Sequence, residues 1–220
     1  MTETLRAAVA DAARRLADAG LLIGTAGNVS AVDPATGNLA VTATGVVLAD
    51  CGPEHVSLVD PSGRLLEGDL APTSELDLHL AVVATYGAGA VVHTHAPYAT
   101  AISCVRDDLP VLHYQQILLG GTLRVAPYAT FGTPELAAHV VEALRDRTGA
   151  LMANHGAVST GATLAQAVEG ALLLEWCCRL FHDASVLGVP RVLDEAQQIA
   201  VIEAAIARDY GTPRTYEETP

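Results

Sequence analysis

Ala90-Val91-Val92-His93-Thr94-His95 is an apolar, β-branched run that carries two histidines one residue apart and is cut off by Pro97. β-Branched side chains suit a pleated, buried backbone and proline cannot continue the ladder, so the run predicts a strand over 90–95. Alternate strand residues point to the same face, which lets both imidazoles reach one ion. Alone, such a pair is also an ordinary feature of a packed sheet. A metallo-hydrolase of the H-x-H-x-D-H kind is disfavoured, because Ala96-Pro97-Tyr98 follows. A third histidine, in Asn154-His155-Gly156, ends another apolar strand, ahead of a glycine that permits close backbone approach. Three neutral imidazoles with one open position form the ligand set of a catalytic rather than a structural zinc.

Outward from this strand, apolar spacing predicts helices over 4–19, from Thr73-Ser74 to about Thr85, and over 133–147, 162–183 and 194–209. Strands are expected over 39–44 and 55–59 and near 111–114, 123–126 and 150–159, with 24–30 read as a Gly-rich polar stretch. Asp77, three places after Ser74, makes a weaker capping box. No repeat, low-complexity tract or long linker divides the 220 residues, so one domain over 1–220 is expected. Strands and helices mix without strict βαβ alternation. The fold class is therefore α/β, with a sheet layered by helices rather than a doubly wound dinucleotide fold.

Composition narrows the chemistry. All twelve basic residues are arginine and none is lysine. A Schiff-base enzyme, a pyridoxal phosphate enzyme and a P-loop nucleotidase each need a lysine amine, so all three are excluded. A net charge of −13 argues against nucleic acid as a partner, since phosphates would be repelled. The apolar stretches 81–92 and 162–181 are interrupted by glycines or charges, short of the ~20 apolar residues a bilayer requires. Met1–Arg6 is mixed in charge and does not read as a signal peptide, so a soluble, cytoplasmic protein without a membrane partner is expected. Cys51, Cys104, Cys177 and Cys178 show neither disulfide nor zinc-knuckle spacing and read as core thiols.

Pro72-Thr73-Ser74-Glu75 places two hydroxyls at a helix N-terminus, where amides and the helix dipole favour a phosphate. The alternative is an ordinary N-cap followed by a first-turn acid. Gly27-Asn28-Val29-Ser30 and Thr42-Ala43-Thr44-Gly45 offer further amides and hydroxyls, or simply turns. His79, one turn after Glu75, either orients it or packs the helix. His55, His139 and His182 read as residues without a role, Trp176 and Cys177-Cys178 as packing for the long helix, and Glu142, Arg145 and Asp146 as a solvated face.

Gly24-Thr25-Ala26-Gly27-Asn28-Val29-Ser30, Thr44-Gly45, Thr73-Ser74-Glu75, His93-Thr94-His95-Ala96, His113-Tyr114, the run Ala126 to Thr133, Asn154-His155-Gly156 and Asp209-Tyr210-Gly211 occur in that order. In this the chain resembles the class II aldolase/adducin family over nearly its whole length. The resemblance implies a three-layer α/β/α sandwich with a central, mainly antiparallel sheet. It implies one Zn²⁺ per subunit on His93, His95 and His155, acting as electron sink for a ketose 1-phosphate such as L-fuculose 1-phosphate or a similar deoxy-ketose 1-phosphate. Glu75 would move the proton of the enediolate, and Tyr114, from a neighbouring subunit of a homotetramer, the proton on the aldehyde oxygen. Tyr210, on a C-terminal tail, would help close the site, and Asn28, Thr44, Gly45, Thr73 and Ser74 would hold the phosphate. Where this chain has Thr73-Ser74 the family has Ser-Ser, which preserves both hydroxyls. Within the family, a methylthioribulose-1-phosphate dehydratase keeps the glutamate, whereas an L-ribulose-5-phosphate 4-epimerase has aspartate at that place. A non-catalytic adducin-like module would have eroded ligands, and here all are intact.

Overall fold

The structure is a computed structural model that describes residues 2–211, so the expected 1–220 domain extends past it at both ends. Nine strands form one sheet: β1 (Asn28–Val32), β2 (Leu39–Thr42), β3 (Val56–Val59), β4 (Leu65–Glu67), β5 (Ala90–Thr94), β6 (Asp108–Leu109), β7 (Leu123–Ala126), β8 (Gly149–Met152) and β9 (Gly156–Gly161). Their spatial order is β4-β3-β2-β1-β5-β9-β8-β7-β6, with β5 in the middle. Only β7 and β8 run parallel; the other neighbours are antiparallel.

Among the described residues five helices cover the two faces, α1 (Thr2–Asp18), α2 (Leu76–Tyr86), α3 (Pro97–Ser103), α4 (Pro134–Ala143) and α5 (Leu164–Leu187), while α6 (Glu195–Ala207) packs beside residues 114–119, off the sheet. Side-chain alternation decides which helix meets which face. Val29, Ala31, Ala90 and Val92 turn to one side and pack with Val9, Ala13 and Leu16 of α1, Ala99 and Ile102 of α3, and Val168, Ala171 and Leu174 of α5. Val91 and Val158 turn to the other side, against Leu78 and Val82 of α2 and Leu136 and Val140 of α4. The result is the expected α/β/α sandwich around a mainly antiparallel sheet. No helix among the described residues is long and apolar enough to cross a membrane.

Several elements depart from the sequence reading. Residues 28–32 form a strand instead of a loop, and 65–67 add an edge strand. Pro97 does end β5, but it also opens α3 as its first residue, where its missing amide costs nothing. The α3 amides of Tyr98 and Ala99 donate to the Glu175 carboxylate at 2.9 and 2.8 Å, which caps the helix from α5. Residues 111–114 are not a strand: a 3₁₀ run occupies Tyr114–Leu119, where the His113 ring accepts from the Gln115 amide at 3.3 Å. The 150–159 segment is two strands, β8 and β9, joined by a short turn that carries His155. Cys177 and Cys178 are buried as expected, whereas Trp176 is half-exposed and meets the His113 ring edge-on at 4.9 Å.

The β5–β9 contact is set by Gly156. A Cβ there would stand 2.1 Å from the Thr94 carbonyl oxygen and 3.4 Å from the Cα of His95. Gly156→Ala must therefore push the two strands apart, and overpacking of this kind costs about 1–3 kcal/mol or more. Urea denaturation should show that loss, and an unchanged midpoint would contradict the close approach.

Candidate metal centre

The site is assembled from the middle of the sheet and one helix start. His93 is the last but one residue of β5 and faces α2, paired on one side with Asn28 of β1 and on the other with Val158 of β9. His95 lies one residue past the strand, on the same face. His155 comes from the β8–β9 turn, where Asn154 takes a left-handed φ of 55° and the His155 amide closes back on the Met152 carbonyl. Glu75 stands immediately before α2 as its N-cap.

The expected Ser74–Asp77 capping box does not form, and the cap makes no side-chain hydrogen bond to its helix. The reason is electrostatic: the Glu75 carboxylate is drawn inward. Its Oε2 accepts from Asn28 Nδ2 at 2.9 Å and lies 3.1 Å from His93 Nε2, while Oε1 lies 3.5 Å from His155 Nε2. One hydroxyl substitutes at the helix start, since Thr73 Oγ1 accepts the Glu75 amide at 3.3 Å.

The three imidazole centroids are 4.8–4.9 Å apart, and the ligand atoms of Glu75, His93, His95 and His155 all lie within 4.8 Å of one another. His93 donates Nδ1–H to the Ala157 carbonyl at 3.0 Å, which turns its Nε2 toward the cluster, 3.0 Å from the Nε2 of His95. Glu75 Oε1 is buried and has no hydrogen-bond partner. Converging ring nitrogens are unfavourable by themselves and become ligands for a divalent cation, whose charge would also offset the burial of the Glu75 carboxylate beside them. The residues therefore fit a metal.

Charge follows the same geometry. Burial pushes the Glu75 carboxyl up, but the charge and hydrogen bond of His93, with help from Asn28 and His155, hold it well below the usual range. Burial disfavours the His93 cation, yet Glu75 and the Ala157 carbonyl raise its pKa. His95 and His155 are both lowered to about 4, by burial and by His93, against the pull of Glu75. At neutral pH those two rings are uncharged, the form in which imidazole binds metal.

Beside the cluster opens a cavity of about 430 Å³ whose wall includes Glu75, His95 and His155 together with Asn28, Thr44, Gly45, Thr73 and Ser74. Among the described residues no arginine lines it. The amides of Thr44 and Thr73 are committed to the carbonyls of Ala71 and Thr42, so hydroxyls carry more of the anion-binding capacity than the sequence suggested. Sequence reading gave no role to Thr25, Asn154, Tyr128 or Phe131, which also line the cavity. The signal for the two aromatics lies in their place between Pro127 and Gly132, on a loop where both are more than half exposed.

Tyr114 and Tyr210 are elsewhere. Their hydroxyls are 3.5 Å apart, which raises the pKa of Tyr114, and they line a separate cavity of about 610 Å³ between the 3₁₀ run and α6.

The family description "Class II Aldolase and Adducin N-terminal domain" matches residues 7–182, and the chain belongs to this family. It is 34% identical over 190 residues to the 5-deoxy-D-ribulose 1-phosphate aldolase of Bacillus thuringiensis serovar kurstaki, covering 85% of this chain and 89% of that one. It is 36% identical over 201 residues to the 5-methylthioribulose-1-phosphate/5-deoxyribulose-1-phosphate aldolase of Rhodospirillum rubrum, covering 90% of each. A solved L-fuculose 1-phosphate aldolase superposes with a TM-score of 0.87 at 31% identity, over 91% of this chain and 95% of the other.

Because His155 sits in a turn and not in the core, His155→Ala should keep the fold and lose the metal. Far-UV circular dichroism should be unchanged, while divalent ion retained after dialysis should fall at least about tenfold. A variant that keeps its full ion content would remove His155 from the ligand set.

Proposed function

We propose that this protein is a zinc-dependent aldolase that reversibly cleaves a ketose 1-phosphate into dihydroxyacetone phosphate and an aldehyde. The carrying observation is the Glu75/His93/His95/His155 cluster beside a cavity lined by hydroxyls and, among the described residues, by no arginine. Three imidazoles and an open position favour zinc among divalent ions. The relatives support the substrate class: their names share a 1-phosphorylated ketose whose far end is a deoxy or methylthio group. L-Fuculose 1-phosphate and 5-deoxyribulose 1-phosphate are the substrates to test first.

The chain's own residues divide the reaction as follows. Thr44, Ser74 and neighbouring polar groups bind the phosphate as neutral donors and set its position. In the synthetic direction Glu75 removes a proton from the carbon of dihydroxyacetone phosphate that becomes the nucleophile. A divalent cation held by His93, His95 and His155 would supply Lewis acidity to the adjacent carbonyl, toward which the electron pair moves. As the carbon–carbon bond forms, a tyrosine hydroxyl gives its proton to the aldehyde oxygen; cleavage runs in reverse.

Tyr114 and Tyr210 do not line the Glu75 cavity of their own chain, which supports their delivery from a neighbouring subunit of a homotetramer. The exposed apolar residues around them, Leu118, Ile202 and Ile206, support a contact there. A cytoplasmic location is part of this proposal.

Chelation should abolish cleavage and added zinc should restore it; full activity in metal-free protein would rule out the proposal. Glu75→Gln should retain zinc and bind dihydroxyacetone phosphate, while cleavage falls roughly 10²–10⁴-fold, the usual contribution of a positioned general base. Solvent-deuterium exchange into dihydroxyacetone phosphate should fall with it, whereas Tyr114→Phe should slow cleavage and spare that exchange. Ser74→Ala should raise KM for phosphorylated ketoses by the equivalent of roughly 1.5–3 kcal/mol. An unchanged preference for phosphorylated over unphosphorylated sugar would move the phosphate site.

A further inference from the structure

We propose that His79 is a positioning residue for Glu75, acting through Asn28, and that Oε1 is the carboxylate oxygen that exchanges the proton. The inference rests on the reading of Glu75 as the base.

Ser30, His79, Asn28 and Glu75 form one buried chain of hydrogen bonds. Ser30 Oγ lies 2.6 Å from His79 Nδ1, His79 Nε2 lies 2.5 Å from Asn28 Oδ1, and Asn28 Nδ2 lies 2.9 Å from Glu75 Oε2. Ser30 and His79 are wholly inaccessible to solvent, and Asn28 and Glu75 nearly so. Asn28 and Ser30 are two apart on β1 and share the face that looks at α2, one turn of which separates Glu75 from His79.

The polarity of this chain is fixed from the carboxylate outward. An ionised carboxylate only accepts, so the atom of Asn28 that faces it must be the NH₂ group. The other end of that amide is then the carbonyl oxygen, to which His79 must donate through Nε2–H. A neutral ring that donates from Nε2 accepts at Nδ1, and the Ser30 hydroxyl supplies that proton. Burial, reinforced by His93 and opposed by Glu75, lowers the pKa of His79 to about 3, so the ring stays neutral and carries no proton to or from the site. Its work is to hold one tautomer. That tautomer holds the Asn28 amide, and the amide holds Glu75 by a single oxygen.

The consequence for the carboxylate is asymmetric. Oε2 is engaged by Asn28 and lies beside His93, whereas Oε1 is buried without a hydrogen-bond partner. The unengaged oxygen is the more basic of the two and the one free to approach a carbon-bound proton. Without His79, the Asn28 amide could rotate and present its carbonyl to Glu75, which would repel the carboxylate and let it turn.

The test uses the zinc-loaded protein. His79→Leu should lower kcat and the rate of deuterium exchange into dihydroxyacetone phosphate together, by roughly ten- to a hundredfold, with KM and zinc content unchanged. His79→Gln, whose amide can donate to Asn28 and accept from Ser30, should recover most of the loss. In an Asn28→Ala background His79→Leu should add little, because its route to Glu75 is already gone. In ¹⁵N-histidine spectra of the parent, His79 should be neutral with its proton on Nε2 between about pH 5.5 and 8.

An Nδ1–H tautomer would overturn the proposal, and this measurement needs no variant to fold. So would parental exchange rates in His79→Leu, loss of its zinc, or an equal loss with and without Asn28, which would mark a purely structural role. If the parent itself exchanges no deuterium into dihydroxyacetone phosphate, the proposed function fails. If the parent exchanges and His79→Leu matches it, only the positioning role fails.

Discussion

The structure depends on the register of β5 between its two antiparallel neighbours. Asn28 stands opposite His93 on one side, and Val158 stands opposite it on the other. A slip of one residue would turn every side chain of β5 over and send His93 into the layer of α1, α3 and α5. Burial on both faces forbids that slip: Val91 fills the α2–α4 layer, while Ala90 and Val92 fill the opposite one. The same pairing brings Gly156 against Thr94 and places the His155 turn beside the strand end. One alignment in the middle of the sheet thus fixes two ligands and the asparagine that holds the carboxylate.

The site concentrates polar groups where the fold alone would not. Two imidazole nitrogens face each other at 3.0 Å, and a nearby carboxylate oxygen has no donor. Buried polar groups without partners are destabilising, and groups held this way belong to sites that a ligand completes. The short contact of Glu75 with His93 partly compensates, and the carboxylate raises the pKa of that ring against the effect of burial. The lack of lysine fits the same logic, because a Schiff base cannot then stabilise a carbanion. Under the proposed function, a cavity wall with no arginine among the described residues would leave hydroxyls to select the phosphate by geometry.

The α/β layering and the ligand histidines were legible because they follow periodicity: alternation in β5, helical spacing elsewhere, and a glycine after His155. β1 was not, because Asn28 and Ser30 are polar and read as loop, although both are buried. Their hydrogen bonds come from α2 and its N-cap, 47 to 51 residues away in sequence, and no local pattern reveals such partners. For the same reason His79 could be read either as packing or as orienting Glu75. α3 was hidden because a proline after a strand reads as an end, while its cap, Glu175, lies far along the chain. Tyr114 and Tyr210 were recognisable only by resemblance, and their own chain does not carry them to the Glu75 cavity.

A metal ion among Glu75, His93, His95 and His155 would show in X-ray absorption at the zinc edge of the zinc-loaded protein. The expected first shell is nitrogen and oxygen alone at about 2.0–2.1 Å, with multiple scattering from three imidazoles. A sulfur neighbour at about 2.3 Å, or scattering from fewer than three imidazoles, would place the ion elsewhere and contradict this site.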